Sequence, residues 1–262
     1  MTASAPLTPQ DAARVRADLA RRALSLLDLT DLSDACTAAA VEELCGKARA
    51  SGVAAVCVWP RFVADAVRGL RGSSVRVATV VNFPEGGEAV ARTVAETEAT
   101  LADGADEIDL VLPYRALMRG DAESARAMVE AVRAACADRL LKVILETGEL
   151  EDPGLIAQAS RLSLEAGANF IKTSTGKTAV SATLPAAEIM LEAIRAHGGD
   201  RPVGLKVSGG LRRVEDAAAY LALADRIMGP DWASPNTFRL GASALHAELV
   251  RVELPRAGEA AR

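Results

Sequence analysis

The chain is poor in the residues that build the commonest metal and hydrolytic sites. Its two histidines, His197 and His246, both lie in helical patterns. That supply is too small for a histidine-based metal site or for a Ser-His-Asp triad. The four cysteines form no CxxC pair and no regular framework, so we expect free buried thiols rather than disulfides or zinc ligands.

The sequence also lacks the marks of nucleic-acid-binding, dinucleotide-binding and membrane proteins. The net charge is −5 and no basic stripe is present, which argues against nucleic acid as a partner. The glycine pair Gly209-Gly210 begins no GxGxxG fingerprint. No apolar run reaches the length of a membrane span, and the first residues show no signal-peptide pattern. We therefore expect a cytoplasmic protein without a membrane partner.

Lysine is scarce too, with five lysines in a chain where lysine and arginine together number 30. Arginine stays protonated and cannot act as an amine nucleophile. Lys142, Lys172 and Lys206 nevertheless lie in apolar, strand-like runs. A lysine in a strand that is covered on both faces is costly unless it is paired, neutral or used in chemistry.

What the sequence does contain is an alternation of helical patterns with continuously apolar runs, which is typical of parallel strands covered on both faces. Two helices, at residues 11–27 and 38–50, come first, and residues 27–32 are predicted to form a turn. Eight strands are predicted at residues 53–59, 75–83, 107–112, 140–145, 170–175, 203–207, 226–228 and 239–242.

Such a series builds either a doubly wound sheet or a closed barrel. The count of eight strands and the length of 262 residues favour the α/β class, as a single (β/α)8 TIM barrel with extra N-terminal helices. No linker divides the chain, so residues 1–262 are predicted to be one domain. Short flexible tails are expected at about 1–9 and 255–262, with Thr8 or Asp11 as the first N-cap.

Polar groups are concentrated near the carboxyl ends of the predicted strands, where barrels of this kind carry their chemistry. Because side chains alternate along a strand, Asp109, Lys172 and Lys206 can all face the barrel interior. Desolvation lowers the pKa of a lysine, and a second cation lowers it further, which yields a neutral amine able to form a Schiff base. The pattern indicates a lysine-dependent carbonyl enzyme centred on Lys172.

Each of these residues also has a structural interpretation. Lys172 could be an ion-pair partner, and Asp109 could merely neutralise Lys142 or Lys172. A structural role is preferred for Lys142, which lies early in its strand, and a loop or pairing role for Glu146. Cys57 fits a small buried hydrophobic residue better than a reactive thiol, but it stays a candidate for substrate contact.

Glycines form a second group around the late strands. Gly176 with Lys177, Gly209-Gly210 and Gly241 follow these strands or lie within them. Backbone amides at glycines can approach and hold a phosphate, and phosphate sites in this fold use the later loops. Tight turns and helix ends are the alternative explanation for the same glycines.

A series of segments, in order over nearly the whole chain, closely resembles the deoxyribose-phosphate aldolases, a family of class I (Schiff-base) aldolases with a (β/α)8 barrel. The segments are 27–30 (LDLT), 57–62 (CVWPRF), 82–84 (NFP), 104–109 (GADEID), 113–117 (PYRAL), 141–148 (LKVILETG), 170–177 (FIKTSTGK), 204–206 (GLK) with Gly209-Gly210, and 241–243 (GAS).

The resemblance implies a role for each candidate residue. Lys172 would be the Schiff-base nucleophile, and Lys206 the neighbouring cation that depresses its pKa and assists proton transfer. Asp109 would be the acid/base that acts through a water. Asp28, Thr30 and Cys57 match residues that line the substrate pocket. The positions matching those that hold the substrate phosphate and nearby hydroxyls are Thr175, Gly176, Lys177, Gly209, Gly210, Arg212, Gly241 and Ser243.

The implied reaction is the reversible cleavage of 2-deoxy-D-ribose 5-phosphate to D-glyceraldehyde 3-phosphate and acetaldehyde. The resemblance implies no metal or organic cofactor, because the lysine is itself the electron sink. Small phosphorylated sugars and aldehydes are the expected partners, and a homo-oligomer (dimer or tetramer) is considered. The alternatives are a Schiff-base barrel aldolase for a different phosphorylated sugar and a non-catalytic sugar-phosphate binder.

The chain departs from the family pattern at two places. Some members carry Ser-Ser where this chain has Ser243-Ala244, so one phosphate donor is missing. Some members end in a tyrosine that helps proton transfer, and residues 257–262 contain none. These departures concern enamine protonation and phosphate preference, and they leave Lys172, Lys206 and Asp109 in place.

Overall fold

The chain folds into a closed barrel of eight parallel strands, which confirms the predicted (β/α)8 architecture. The computed structural model describes residues 8–198 and 201–253. Each strand pairs with the next along the chain, and the last pairs with the first. The strands are β1 Leu27–Asp31, β2 Ala55–Val58, β3 Arg76–Val81, β4 Glu107–Val111, β5 Leu140–Ile144, β6 Phe170–Lys172, β7 Gly204–Ser208 and β8 Phe238–Ala242.

Helices connect the strands and surround the barrel. They are α1 Pro9–Ser25, α2 Ala38–Ser51, α3 Val63–Gly69, α4 Val90–Ala102, α5 Tyr114–Met118, α6 Ala122–Cys136, α7 Thr147–Leu150, α8 Pro153–Glu165, α9 Leu184–His197, α10 Val214–Met228 and α11 Leu245–Glu253. A 3-10 turn at Pro60–Phe62 leads into α3. Across the two described stretches, every helix is too short or too polar to cross a lipid bilayer.

The first strand lies where the sequence predicted a turn. Residues 27–32 contain β1, whose alternating polar and apolar residues face two different buried environments. Asp28 faces charged groups in the barrel interior, whereas Leu27 and Leu29 belong to the apolar layer under the helices. Because β1 precedes α2, α2 is the β1–β2 connection. Of the two predicted N-terminal helices, α1 alone is extra to the barrel.

The predicted strand at residues 226–228 is instead the end of a helix. Ile227 continues the buried stripe of α10 after Leu223 and Ala224, and the helix ends before Gly229. A three-residue apolar run carries too little periodicity to separate a strand from a helix turn. The predicted total of eight strands was right, but one of its members was wrong.

The first helix begins at Pro9, with Thr8, one of the two predicted N-cap candidates, as its N-cap. The Thr8 hydroxyl accepts a hydrogen bond of 3.1 Å from the Asp11 amide, which caps α1. Pro9 takes the first helical position, where a missing N–H leaves no hydrogen bond unmade. Residues 1–7 and the predicted tail at 255–262 lie outside the described residues.

The barrel interior is divided into an apolar and a charged part. On the β2–β3 side, the small apolar side chains of Ala55, Cys57, Ala78 and Val80 form a cluster with Leu32, which follows β1. Charged side chains instead come from β1 and from strands β4 to β8. A separate, larger apolar cluster fills the space between strands and helices. The charges therefore gather in one part of the interior rather than around its whole circumference.

Candidate active site

The three predicted catalytic side chains lie together inside the barrel. Lys172 ends β6 and pairs in register with Lys206 of β7, while Asp109 lies on β4. The Lys172 and Lys206 Nζ atoms are each 2.8 Å from the same oxygen, Asp109 Oδ2. The side chain of Lys172 is 2% exposed, and those of Lys206 and Asp109 are fully buried. A carboxylate thus bridges two lysines in a nearly dry site.

A second group of charges lies below these three. Lys142 Nζ is 2.7 Å from Asp109 Oδ1 and 2.6 Å from Glu107 Oε2. The Arg239 guanidinium donates to Glu107 at 2.8 Å and to Asp28 at 2.6 Å. Lys206 connects the two groups of charges, because its Nζ also lies 2.6 Å from Asp28 Oδ2. This contact is at ion-pair distance but lacks hydrogen-bond alignment.

Together these side chains form what we call the interior charge network. Its members are Asp28, Glu107, Asp109, Lys142, Lys172, Lys206 and Arg239. Three carboxylates therefore face four cationic side chains. If three of the cations stay protonated, the network is electrically neutral only when the fourth gives up its proton, and an uncompensated buried charge is expensive.

Among the four cationic groups, Lys172 is the one whose pKa is lowered in this environment, whereas those of Lys142, Lys206 and Arg239 are raised. Burial lowers the pKa of Lys172, Asp109 opposes the change, and the Lys206 ammonium adds to the lowering. Burial also acts to lower the pKa of Lys206, but Asp109 and Asp28 outweigh it and raise that pKa. Burial acts to raise the pKa of Asp109, but the three neighbouring lysines outweigh it and hold that pKa well below its usual value.

Above the network a cavity of about 420 Å³ opens at the carboxyl ends of the strands. Nine of the predicted binding residues line it: Thr30, Thr175, Gly176, Lys177, Gly209, Gly210, Arg212, Gly241 and Ser243. Lys177 contributes a cation at the mouth, where its Nζ lies 3.3 Å from the exposed Asp34 carboxylate and 5.6 Å from the centre of the Trp59 ring.

Two residues predicted to line the substrate pocket lie elsewhere. Asp28 belongs to the interior charge network and is fully buried. Cys57 is also fully buried and packs in the small apolar cluster with Ala55, Ala78 and Val80. Burial raises the pKa of the Cys57 thiol, although Lys206 opposes the rise. This thiol is therefore a packing group rather than a nucleophile.

Gly241 has a packing role beside its place in the cavity lining. A Cβ atom at this position would lie 2.7 Å from Ser208 Oγ and 3.0 Å from Lys206 Cε. A larger residue would therefore force the Ser208 and Lys206 side chains to move. The absence of a side chain at position 241 of β8 therefore leaves the space in which the Lys206 side chain extends toward Asp109.

Sequence reasoning did not find Arg239 and gave Glu107 no role. Glu107 lies two residues before Asp109 on β4, so the two side chains share the inward face. Arg239 pairs in register with Lys206, so its side chain also faces the barrel interior. Strand parity could have identified both residues. Lys142, for which a structural role was preferred, contacts Asp109 and Glu107.

Comparison with known proteins gives concordant matches. The model of the family described as "DeoC/LacD family aldolase" matches residues 22–247. A curated deoxyribose-phosphate aldolase from Agrobacterium fabrum is 54% identical over 233 residues, which cover 87% of this chain and 89% of that protein.

Two solved structures show the same similarity in three dimensions. A crystal structure of a candidate deoxyribose-phosphate aldolase from Coccidioides immitis has a TM-score of 0.80 at 32% identity, covering 90% of this chain and 87% of that one. A candidate deoxyribose-phosphate aldolase from Toxoplasma gondii has a TM-score of 0.85 at 28% identity, covering 92% and 98% of the two chains.

Proposed function

The chain belongs to the DeoC/LacD family of aldolases, and from this premise we propose that Lys172 is the residue through which it cleaves its substrate. The chain is a deoxyribose-phosphate aldolase, a carbon–carbon lyase that reversibly cleaves 2-deoxy-D-ribose 5-phosphate to D-glyceraldehyde 3-phosphate and acetaldehyde. The observation that carries the assignment of Lys172 is the single Asp109 oxygen shared at 2.8 Å by two buried lysines.

The neutral form of Lys172 is the nucleophile. Desolvation and the neighbouring Lys206 ammonium both disfavour a charge on this amine, and the residues that follow it, Thr175 to Lys177, line the cavity. Lys142 is the poorer candidate, because burial is outweighed by Asp109 and Glu107 and its pKa is raised. A lysine held between two carboxylates has no free electron pair to offer a carbonyl.

The chemistry depends on a Schiff base that can accept the electron pair of the bond that breaks. In cleavage, the Lys172 amine adds to the C1 carbonyl of the open-chain sugar, and loss of water leaves a protonated Schiff base. Removal of the C3 hydroxyl proton breaks the C2–C3 bond, whose electron pair moves into the Schiff base to form an enamine. D-Glyceraldehyde 3-phosphate leaves. Protonation of the enamine at C2 and hydrolysis then release acetaldehyde and restore the amine.

Asp109 and Lys206 supply the proton transfers in this proposal. Asp109 is held as a carboxylate, so it accepts protons, through a water at the carbinolamine and hydroxyl steps. Lys206 is held as an ammonium, so it donates them and also keeps the neighbouring amine neutral. Because Lys206 donates a hydrogen bond of 2.8 Å to Asp109, a proton can pass directly between the two groups.

The phosphate end of the substrate binds in the cavity above. Lys177 and Arg212 provide positive charge, and the glycine amides of residues 176, 209 and 210 provide donors without side-chain obstruction. Ala244 also lines this cavity, at the position where some family members carry a second serine. One hydroxyl donor is therefore missing from the site, and the remaining amides and cations must hold the phosphate.

Reductive trapping tests the proposal. Sodium borohydride with acetaldehyde should fix a two-carbon adduct, and peptide mapping should place it on Lys172. Lys172→Arg should abolish both trapping and the release of glyceraldehyde 3-phosphate, whereas Lys47→Arg, at an exposed lysine, should retain both. An adduct on Lys142 or Lys177 would overturn the assignment.

Three further expectations belong to the proposal. The reaction needs no metal or organic cofactor, so turnover should survive exhaustive treatment with EDTA. The protein resides in the cytoplasm, which fractionation of the source cells tests. It forms a homo-oligomer, dimer or tetramer, which light scattering after size-exclusion chromatography tests.

A further inference from the structure

Glu146 is a fully buried carboxylate that the mechanism above does not use. It follows β5 with a φ of 57°, in the left-handed region that residues other than glycine rarely adopt. Its hydrogen-bond donors are neutral groups. The Thr175 amide lies 3.2 and 3.3 Å from its two oxygens, the Thr175 hydroxyl donates to Oε2, and the Thr178 hydroxyl lies 3.4 Å from Oε1.

These hydrogen bonds continue into the cavity lining. The Thr175 hydroxyl, which donates to Glu146, also accepts a hydrogen bond of 3.0 Å from the Lys177 amide. Thr175, Gly176 and Lys177 all line the cavity. Glu146 is therefore connected through one hydroxyl to the backbone of the turn that carries Lys177.

The loops after β5, β6 and β7 pack closely against one another beside the turn of residues 175–177. A Cβ atom on Gly148 would lie 2.1 Å from the Val180 carbonyl oxygen, so the loop after β5 touches the loop after β6 backbone to backbone. A Cβ atom on Gly209 would lie 2.5 Å from Ser181 Oγ, so the loop after β7 closes on the other side. Within this packed set, Glu146 supplies the only carboxylate that hydrogen-bonds to Thr175 among the described residues.

We propose that Glu146 is a positioning residue that holds the Thr175–Gly176–Lys177 turn in the shape that receives the substrate phosphate. The inference rests on the proposed function, because it takes the phosphorylated end of the sugar to bind at this turn. Glu146 acts through Thr175 and touches none of the groups in the interior charge network. It therefore contributes to the recognition of phosphorylated substrates and not to the chemistry of the Lys172 amine.

The test compares two substrates that differ only in the phosphate. Glu146→Ala should raise KM for 2-deoxyribose 5-phosphate about tenfold, the loss expected for hydrogen bonds to a charged group. The kcat/KM for unphosphorylated 2-deoxyribose should stay unchanged, and so should the pH profile. Glu146→Gln should recover much of the affinity, because its amide oxygen can still accept from Thr175. Glu149→Ala, at an exposed carboxylate of α7, is the matched control and should behave as wild type.

A double-variant cycle separates this role from a general effect on folding. If Glu146 acts through Thr175, Glu146→Ala combined with Thr175→Val should raise KM no further than the larger single effect. Additive effects would overturn the inference, as would an equal loss with both substrates. If Glu146→Ala does not fold, Glu146→Asp, whose shorter side chain withdraws the carboxylate from Thr175, must still raise KM selectively for the phosphorylated sugar. A wild-type enzyme without cleavage activity would instead refute the proposed function.

Discussion

Replacement of Lys206 by methionine should move the pH at which the enzyme becomes active. Met has nearly the shape of Lys but no charge, so the variant removes one cation from the interior charge network. Three carboxylates then face Lys142, Arg239 and Lys172, and the network is neutral only when Lys172 is protonated. The substitution should therefore raise the pKa of Lys172 and deprive the enzyme of its nucleophile at neutral pH.

The size of the effect follows from the geometry. The two ammonium nitrogens each lie 2.8 Å from Asp109 Oδ2, so they are at most twice that distance apart, 5.6 Å. Two like charges at this separation repel by about 3 kcal/mol at the effective dielectric constant of about 20 that suits protein sites. Loss of that repulsion changes the ratio of neutral to protonated Lys172 by about a hundredfold.

The assay is the pH dependence of kcat/KM, which reports groups of the free enzyme. In Lys206→Met the acidic limb of the profile should shift to higher pH, so that activity lost at neutral pH partly returns in alkaline buffer. Lys177→Met removes a cation from the cavity mouth and should raise KM without moving the limb. An acidic limb that stays in place in Lys206→Met, in a variant with wild-type circular dichroism, would refute the electrostatic reasoning.

Three other outcomes are expected. Gly241→Ala should lower kcat/KM about tenfold or more, because its Cβ displaces Lys206, and Gly46→Ala, where a Cβ meets nothing within 4 Å, should not. Arg239→Met should lower the free energy of unfolding by about 3–5 kcal/mol, because Asp28 and Glu107 lose a buried partner, and Arg76→Met should cost far less. Folding lowers the pKa values of the Glu107 and Asp109 carboxyls. Their contribution to stability is therefore complete above their unfolded pKa values of about 4, and Tm should decrease as the pH is lowered below about 4.

A specific result would contradict each of these three predictions. Normal turnover in Gly241→Ala would mean that Lys206 has another route to Asp109. Equal unfolding free energies for Arg239→Met and Arg76→Met, measured by urea denaturation, would mean that the lower charges are solvated rather than buried. A Tm that is flat through the acidic range would show that the carboxylates keep their ordinary pKa values in the fold.

The clustering of Lys172, Lys206 and Asp109 was predictable because its signal is local. Lys172 lies directly after two apolar residues in a short buried strand, and Lys206 and Asp109 occupy equivalent positions in theirs. Alternation of side chains then sends all three toward the same interior. Parallel strands in register bring Lys172 and Lys206 side by side, which requires no knowledge of the loops.

What escaped prediction depends on partners that are distant in the sequence. Arg239 contacts Asp28 across 211 residues and Glu107 across 132, so no short motif reveals the group. β1 was missed for a related reason, because the polar Asp28 suggests solvent until the charged interior is known. The helix end at residues 226–228 shows the opposite failure, in which a short apolar run was read without its preceding helical stripe.

The balance of charge inside the barrel has a practical consequence for anyone who redesigns this enzyme. A mutation that adds or deletes one charge in the interior charge network changes the electrostatic environment of the other members, because each member lies within hydrogen-bond or ion-pair distance of another. Libraries that vary these positions singly will mostly recover inactive or unstable proteins. Broader aldehyde acceptance should be sought at the rim, where Thr30, Ser243 and Ala244 border open space, and interior changes should be made in compensating pairs.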